Sequence, residues 1–294
     1  MEASVFINEA IERVEPYLKK AFPESQASDI TVQAAMYSLL GGGKRIRPCF
    51  MYQTVKMLGQ DPDSVSVFAS ALEMIHTYSL IHDDLPALDN DDLRRGKPTC
   101  HKKFGEDIAV LAGDALLNRA FEILMNEALT DNRKLKAACE MARLAGISGM
   151  LGGQSIDVSS EGKQIDIDTL YLLQEKKTGA LIEAAFITPC ILFDADQKVT
   201  DLVRSLAGHV GLSFQIRDDI LDVISNEEEL GKSTGKDLRD KKSTFVTMLG
   251  LEGAKEKLDE QIRSSYDILD DLSSGGLSAD NIRPIISFIA ERNF

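Results

Sequence analysis

The sequence predicts an all-α fold, and three observations carry the prediction. Apolar residues recur at three- and four-residue spacing over most of the 294-residue chain. Alternating strand patterns flanked by hairpin turns are absent. Tryptophan is missing and aromatic residues make up only 6%, which disfavours a β-sandwich core.

The periodic stretches run from Val5 to Phe22, Asp29 to Leu40, Val65 to His82, Ala109 to Leu129, Arg133 to Met150, Ile167 to Phe193 and Thr200 to Ile224. Ordinary turn chemistry separates them. Gly41-Gly42-Gly43 stops one helix, and Pro48 sits near the first turn of the next. Ser159 to Lys163 is a short polar loop, Asn226 to Ser243 a longer one rich in charge and glycine, and Ser273 to Ser278 a Ser/Gly connector. No shift in composition or internal repeat marks a boundary. Residues 1–294 are therefore expected to form a single domain, a helical bundle around a deep apolar cavity.

Composition narrows the function. Apolar residues are 44% of the chain, enough for a sizeable core, yet no run approaches the roughly 20 residues of a membrane span. The acidic N-terminus lacks a basic segment followed by an apolar one, so neither a secretory signal nor a transit peptide is expected. Cys49, Cys100, Cys139 and Cys190 are widely spaced, which argues for reduced thiols and against a zinc site. These features together predict a cytoplasmic protein. A net charge of −14 argues against nucleic-acid binding through general electrostatics. It permits an anionic ligand only where cations gather locally or metal ions intervene.

Two acidic clusters interrupt apolar helices. The first reads His82-Asp83-Asp84-Leu85-Pro86-Ala87-Leu88-Asp89-Asn90-Asp91-Asp92. The second reads Gln215-Ile216-Arg217-Asp218-Asp219-Ile220-Leu221-Asp222. Asp218 and Asp222 project within about 40° of each other on a helix, with Gln215 one turn earlier. On an unbroken helix Asp89 would point roughly opposite Asp83. Pro86 cannot donate to the His82 carbonyl, so the chain is expected to break there and bring Asp89 back beside Asp83 and Asp84. Uncompensated buried charge is costly, so cations should face these groups. Carboxylate oxygens suit hard divalent ions, magnesium above all when phosphates complete its shell. An EF-hand starting at Asp89 fails, because Arg94 stands where that loop needs glycine.

Basic residues accompany the acids. Arg94 and Arg95 follow the first cluster, and Gly43-Lys44-Arg45-Ile46-Arg47-Pro48 follows a glycine turn. Guanidinium and ammonium groups so placed suit phosphate oxygens. Neither segment matches a nucleotide-binding loop. His76 lies two turns before Asp83 on the same face, a candidate phosphate contact. Gly179 in Lys176-Lys177-Thr178-Gly179 can open the backbone of an otherwise apolar helix.

The segments GGGKRIRP, HDDLPALDNDDLRRGKPTCH, LAGDAL, GGQSID, KKTGALI and FQIRDDILDV, in this order, resemble the short-chain trans-prenyltransferases, most of all their bacterial farnesyl diphosphate synthase (geranyltranstransferase) branch. The resemblance runs from about Glu9 to the C-terminus. It implies the isoprenoid synthase fold and a homodimer. The implied reaction is magnesium-dependent condensation of isopentenyl diphosphate with dimethylallyl or geranyl diphosphate, giving farnesyl diphosphate. Asp83, Asp84, Asp89 and Asp218, with Asp219 and Asp222, would bind about three magnesium ions, with manganese an alternative. Arg94, Lys177, Thr178, Gln215, Lys232 and Lys242 would bind the allylic diphosphate, while Gly43, Lys44, Arg47, His76 and Arg95 would bind isopentenyl diphosphate. Lys177, Thr178 and Gln215 would also serve catalysis, and Gln154 and Asp157 would line the site. Tyr78, with small Ser79 beside it, would set product length from roughly 7.5 Å down the helix from Asp83.

Family members often end in a basic residue that closes the site; this chain ends in Phe294, with Arg292 the nearest substitute. Rival readings are a geranylgeranyl or longer-chain synthase, a class I terpene cyclase and a non-catalytic prenyltransferase subunit. The intact second aspartate motif and the Lys44/Arg47 group argue against the last two.

Overall fold

A computed structural model describes residues 2–129, 131–224 and 243–291. Helix α1 (Ala3–Lys19) buries Phe6, Ile7, Ala10, Val14 and Leu18 at helical spacing. Helix α2 (Ile30–Leu39) starts at Asp29, whose carboxylate accepts the amides of Thr31 and Val32. Helix α3 (Ile46–Met57) and helix α4 (Ser66–Asp83) are buried on nearly every face, so both run through the interior.

A small antiparallel hairpin follows, β1 (Leu93–Arg94) against β2 (Lys97–Pro98). The sequence reading contained no strand. Two residues per strand are too few to show alternation, and the signal lay instead in the turn. Arg95 and Gly96 both have positive φ, 54° and 73°, the backbone of a tight two-residue hairpin turn.

The remaining helices are α5 (Cys100–Phe104), α6 (Glu106–Ala128), α7 (Asn132–Ala145), α8 (Met150–Ser160), α9 (Ile167–Gln174), α10 (Ala180–Leu192), α11 (Gln197–Ile224), α12 (Phe245–Ser274) and α13 (Arg283–Glu291). Two expected helices are divided. Arg133 to Met150 splits because α7 stops at Ala145; a β-carbon on Gly149 would overlap the Leu144 carbonyl. Ile167 to Phe193 splits into α9 and α10 around a π-helical turn, Glu175–Gly179. Most of the Asn226 to Ser243 loop lies outside the described residues.

Helix α4 packs along α6, α10 contacts α3, α7 and α11, and α11 pairs with α12. The main core includes Phe50 and Phe186, whose ring centroids are 4.7 Å apart. A smaller cluster joins Leu170, Ile216, Ile220, Phe245 and Leu258. Helix α11 feeds both clusters, which fixes its aspartates relative to α4 and α10. The four cysteines are free thiols. Among the described residues no helix is long and apolar enough to cross a membrane.

Candidate active site

The helical ladder of α4 ends as Pro86 requires. Leu85, not Pro86, donates to the His82 carbonyl at 3.1 Å. The chain then turns back, and the Asp89 amide donates to the Asp83 carbonyl at 2.8 Å. Asn90 completes the reversal with φ 50°. The return of Asp89 to Asp83, expected from the sequence, is thus present in the backbone.

The two adjacent aspartates have different surroundings. Asp84 is buried, and the Arg94 guanidinium grips both its oxygens at 2.6–3.0 Å. Burial raises the Asp84 pKa, with Arg94 opposing. Burial raises Asp83 further, to about 6; Lys177 opposes this, and the neighbouring Asp89 charge adds to it. Asp83 is therefore a carboxylate whose burial the nearby cations only partly offset.

The basic loop before α3 is held from beneath. Arg45 has φ 49° and a buried side chain. It donates to Glu73 at 2.8 Å, to Glu15 at 2.9 Å and to the Leu39 carbonyl at 2.8 Å. With Arg45 turned inward, Lys44 and Arg47 line a cavity of about 410 Å³ together with His76, Arg95, Glu73 and Phe288. Arg95 bonds to the Gly42 carbonyl and lies against Gly43, where a β-carbon would sit 2.7 Å from its guanidinium. Burial lowers the pKa of Arg47 and Arg95. It holds His76 well below the ordinary histidine value, reinforced by Arg47, Arg95, Arg94 and Arg45. The cavity is an excess of cations around one carboxylate, a natural seat for an anion.

Lys44 lies 5.0 Å over the Phe288 ring, so α13 reaches this cavity. Arg292 and Phe294, named for closure, lie outside the described residues, as do Lys232 and Lys242.

The π-turn brings the third group of residues together. Lys177 donates to Asp157 at 2.5 Å. Thr178 donates to the Gln215 side-chain oxygen at 3.0 Å, and Gln215 donates to Asp219 at 2.9 Å. The other Asp219 oxygen accepts the Phe245 amide at 2.8 Å, tying α12 to α11. Among the described residues, one buried Asp222 oxygen has no hydrogen-bond partner. The charge of Asp218 acts on Arg47.

A second cavity of about 250 Å³ is lined by Asp83, Lys177, Thr178, Gln154, Tyr78 and Ser79. Arg47 and His76 line both cavities, so the two chambers meet at these residues. Tyr78 is 3% exposed, its ring edge-on to His82 at 5.7 Å and its hydroxyl without a partner among the described residues.

Among the described residues no three acidic, histidine or cysteine side chains converge on a single ion position. The donor chemistry nevertheless suits a hard cation: all-oxygen donors, an Asp83 carboxyl raised by burial and like charge, and an orphaned Asp222 oxygen. Asp84 and Asp219 are already engaged by Arg94 and by Gln215 with Phe245. Sequence reasoning missed Arg45 and Glu73. The available signal was Glu73 itself, the only charged residue of α4 before its acidic end.

The family model described as Polyprenyl synthetase matches residues 28–273. A farnesyl diphosphate synthase from Micrococcus luteus is 44% identical over 261 residues, covering 89% of each chain. A geranylgeranyl diphosphate synthase from Cyanophora paradoxa is 42% identical over 295 residues, covering 98% of this chain and 96% of that one. The crystal structure of a geranyltransferase from Helicobacter pylori, complexed with magnesium and isoprenyl diphosphate, aligns with TM-score 0.87 and 33% identity over 99% of both chains. Fold, paired aspartate segments and sequence likeness agree, and the chain belongs to the polyprenyl synthetase family.

Proposed function

We propose that this chain is a prenyltransferase that condenses isopentenyl diphosphate with dimethylallyl and then geranyl diphosphate, giving farnesyl diphosphate. The observation that carries the reading is the pair of chambers meeting at Arg47 and His76, one cationic and one lined by both Asp83 and Tyr78. Two diphosphates need two such seats. The relatives named farnesyl diphosphate synthase support the product.

Lys44, Arg47, His76 and Arg95 receive the isopentenyl diphosphate. Asp83, Asp89, Asp218 and Asp222 would hold magnesium, with Asp84 and Asp219 orienting their neighbours through Arg94 and Gln215. Bound magnesium supplies charge neutralisation for a departing diphosphate. Lys177 adds a fixed cation beside Asp83, which stabilises the same developing charge. The allylic C1–O bond breaks, and the diphosphate leaves with the electron pair. Thr178 and Gln215 present oxygen dipoles toward the resulting allylic cation. The isopentenyl double bond attacks C1, forming the new carbon–carbon bond. That leaves a tertiary cation at isopentenyl C3, and loss of a C2 proton to the released diphosphate returns the C–H electron pair as the new double bond. Buried apolar walls, Met150 and Leu181 among them, exclude water that would quench the cation.

The shared use of α11 by both apolar clusters supports a single domain over residues 1–294. We assign a homodimer and a cytoplasmic location on the family resemblance, with manganese as the alternative metal. A geranylgeranyl product is the second reading, favoured by the Cyanophora paradoxa relative. Chromatography of the products formed from isopentenyl diphosphate with each allylic primer tests the assignment. A fifteen-carbon product supports it, a twenty-carbon product selects the second reading, and release of diphosphate from one substrate alone contradicts both.

A further inference from the structure

The π-turn Glu175–Gly179 is gripped by two helices in the same manner. On α8, a β-carbon on Gly153 would overlap the Lys177 amide nitrogen and stand 2.6 Å from its α-carbon. One turn later on the same face, Asp157 accepts the Lys177 ammonium at 2.5 Å. On α11, a β-carbon on Gly211 would stand 2.9 Å from the Gly179 α-carbon. One turn later, Gln215 accepts the Thr178 hydroxyl at 3.0 Å. Each helix thus meets the turn through a glycine against its backbone and a polar side chain four residues on.

A π-turn inserts an extra residue into a helix and widens it, so neighbouring helices must either stand off or lack side chains at the contact. Standing off by the thickness of a methyl group would move the Asp157 and Gln215 oxygens out of hydrogen-bond range. Gly208, on α11 but facing open space, has no atom near its would-be β-carbon within 4 Å. The close approach is therefore a property of position 211 and not of glycine along α11.

We propose that Gly153 and Gly211 are positioning residues for Lys177 and Thr178. They let α8 and α11 close on the π-turn from two sides, which sets where the ammonium and the hydroxyl stand in the cavity. The inference deepens the prenyl-transfer reading, and one of its tests is independent of that reading.

The experiment compares Gly153→Ala, Gly211→Ala and the control Gly208→Ala in the full chain. Hydrogen exchange by mass spectrometry reads placement without reference to activity. Exchange at Glu175–Gly179 quickens in the first two variants, stays at the wild-type rate in the control, and is unchanged in α3 and α4 in all three. Steady-state kinetics supplies the second arm. In the first two variants kcat falls by about 10- to 100-fold, as misplacement of about an ångström causes. The KM for isopentenyl diphosphate stays within about twofold, because its seat lies in the other chamber.

Wild-type exchange at the π-turn in both alanine variants overturns the proposal. So does an equal change in Gly208→Ala, or wild-type kcat in both alanine variants of an active enzyme. Failure of either variant to fold, judged by circular dichroism, makes that glycine a packing requirement and rejects its positioning role. A wild-type chain that condenses nothing sinks the prenyl-transfer reading, and the exchange arm still decides the inference.

Discussion

The Asp89 amide donates to the Asp83 carbonyl at 2.8 Å, across a chain reversal that begins where Pro86 cannot extend α4. This one bond brings Asp89 back beside Asp83, six positions earlier, where its charge acts on the Asp83 carboxyl. Asp84 between them is turned to Arg94 instead. The two kinds of aspartate should respond differently to substitution. Asp83→Ala or Asp89→Ala should lower kcat by about 10²- to 10³-fold with the fold intact by circular dichroism. Asp84→Ala should act mainly by releasing Arg94, raising the KM for the allylic diphosphate. Equal loss of kcat from all three, with unchanged KM, would contradict the division of roles.

Tyr78 lines the Asp83 cavity, and among the described residues its hydroxyl has no partner. Tyr78→Ala should lengthen the product and cost about 3 kcal/mol of stability through the space left behind. Tyr78→Phe should keep the product and stabilise the fold by about 1 kcal/mol, since it removes an unsatisfied buried group. Chromatography and urea unfolding check both. A longer product from Tyr78→Phe would remove ring size as the determinant.

Arg45 and Glu73 are paired at 2.8 Å with side chains only 1% and 3% exposed. Arg45→Ala leaves Glu73 charged and stranded, and should cost about 3–5 kcal/mol in chemical unfolding. The loop carrying Lys44 and Arg47 loses its anchor as well, so the KM for isopentenyl diphosphate should rise more than kcat falls. A stability loss below about 1 kcal/mol would mark the pair as solvated and not as an anchor.

His76 is buried among arginines, and its pKa lies well below that of an unfolded histidine. Below the unfolded value of about 6.5 the unfolded chain takes up a proton that the native chain resists. The native state therefore loses stability from this group as pH falls from about 6.5 toward the folded value, and nothing is lost above 6.5. Melting temperatures measured from pH 7.5 to 5 should fall more steeply in the wild type than in His76→Asn. Parallel profiles would show that His76 does not titrate against this environment.

Much of this site was legible in the sequence because single residues forced it. Pro86 dictated the reversal, and the carboxylates on α11 follow from helical spacing alone. The π-turn was half legible: Gly179 signalled a weakened helix, but an inserted residue leaves no gap in an apolar run, so Ile167 to Phe193 read as one helix. The close approaches at Gly153 and Gly211 depend on which helices face the turn, which spacing along the chain does not encode. Arg45 was masked by its neighbours; in Lys44-Arg45-Ile46-Arg47 nothing local distinguishes the guanidinium paired with Glu73 from the two other cations that line the cavity. The left-handed backbone at Arg45 turns it inward, toward Glu73 on a distant helix.

On this reading the aspartates ending α4 and those within α11 act on one diphosphate. The most direct measurement is calorimetric binding of a non-hydrolysable allylic thiolodiphosphate with magnesium, in the wild type, Asp83→Ala, Asp218→Ala and the double variant. Each single variant should lose most of the magnesium-dependent affinity and the double variant little more, since coupled groups do not add. Losses that sum independently, or wild-type affinity in Asp218→Ala, would contradict that reading.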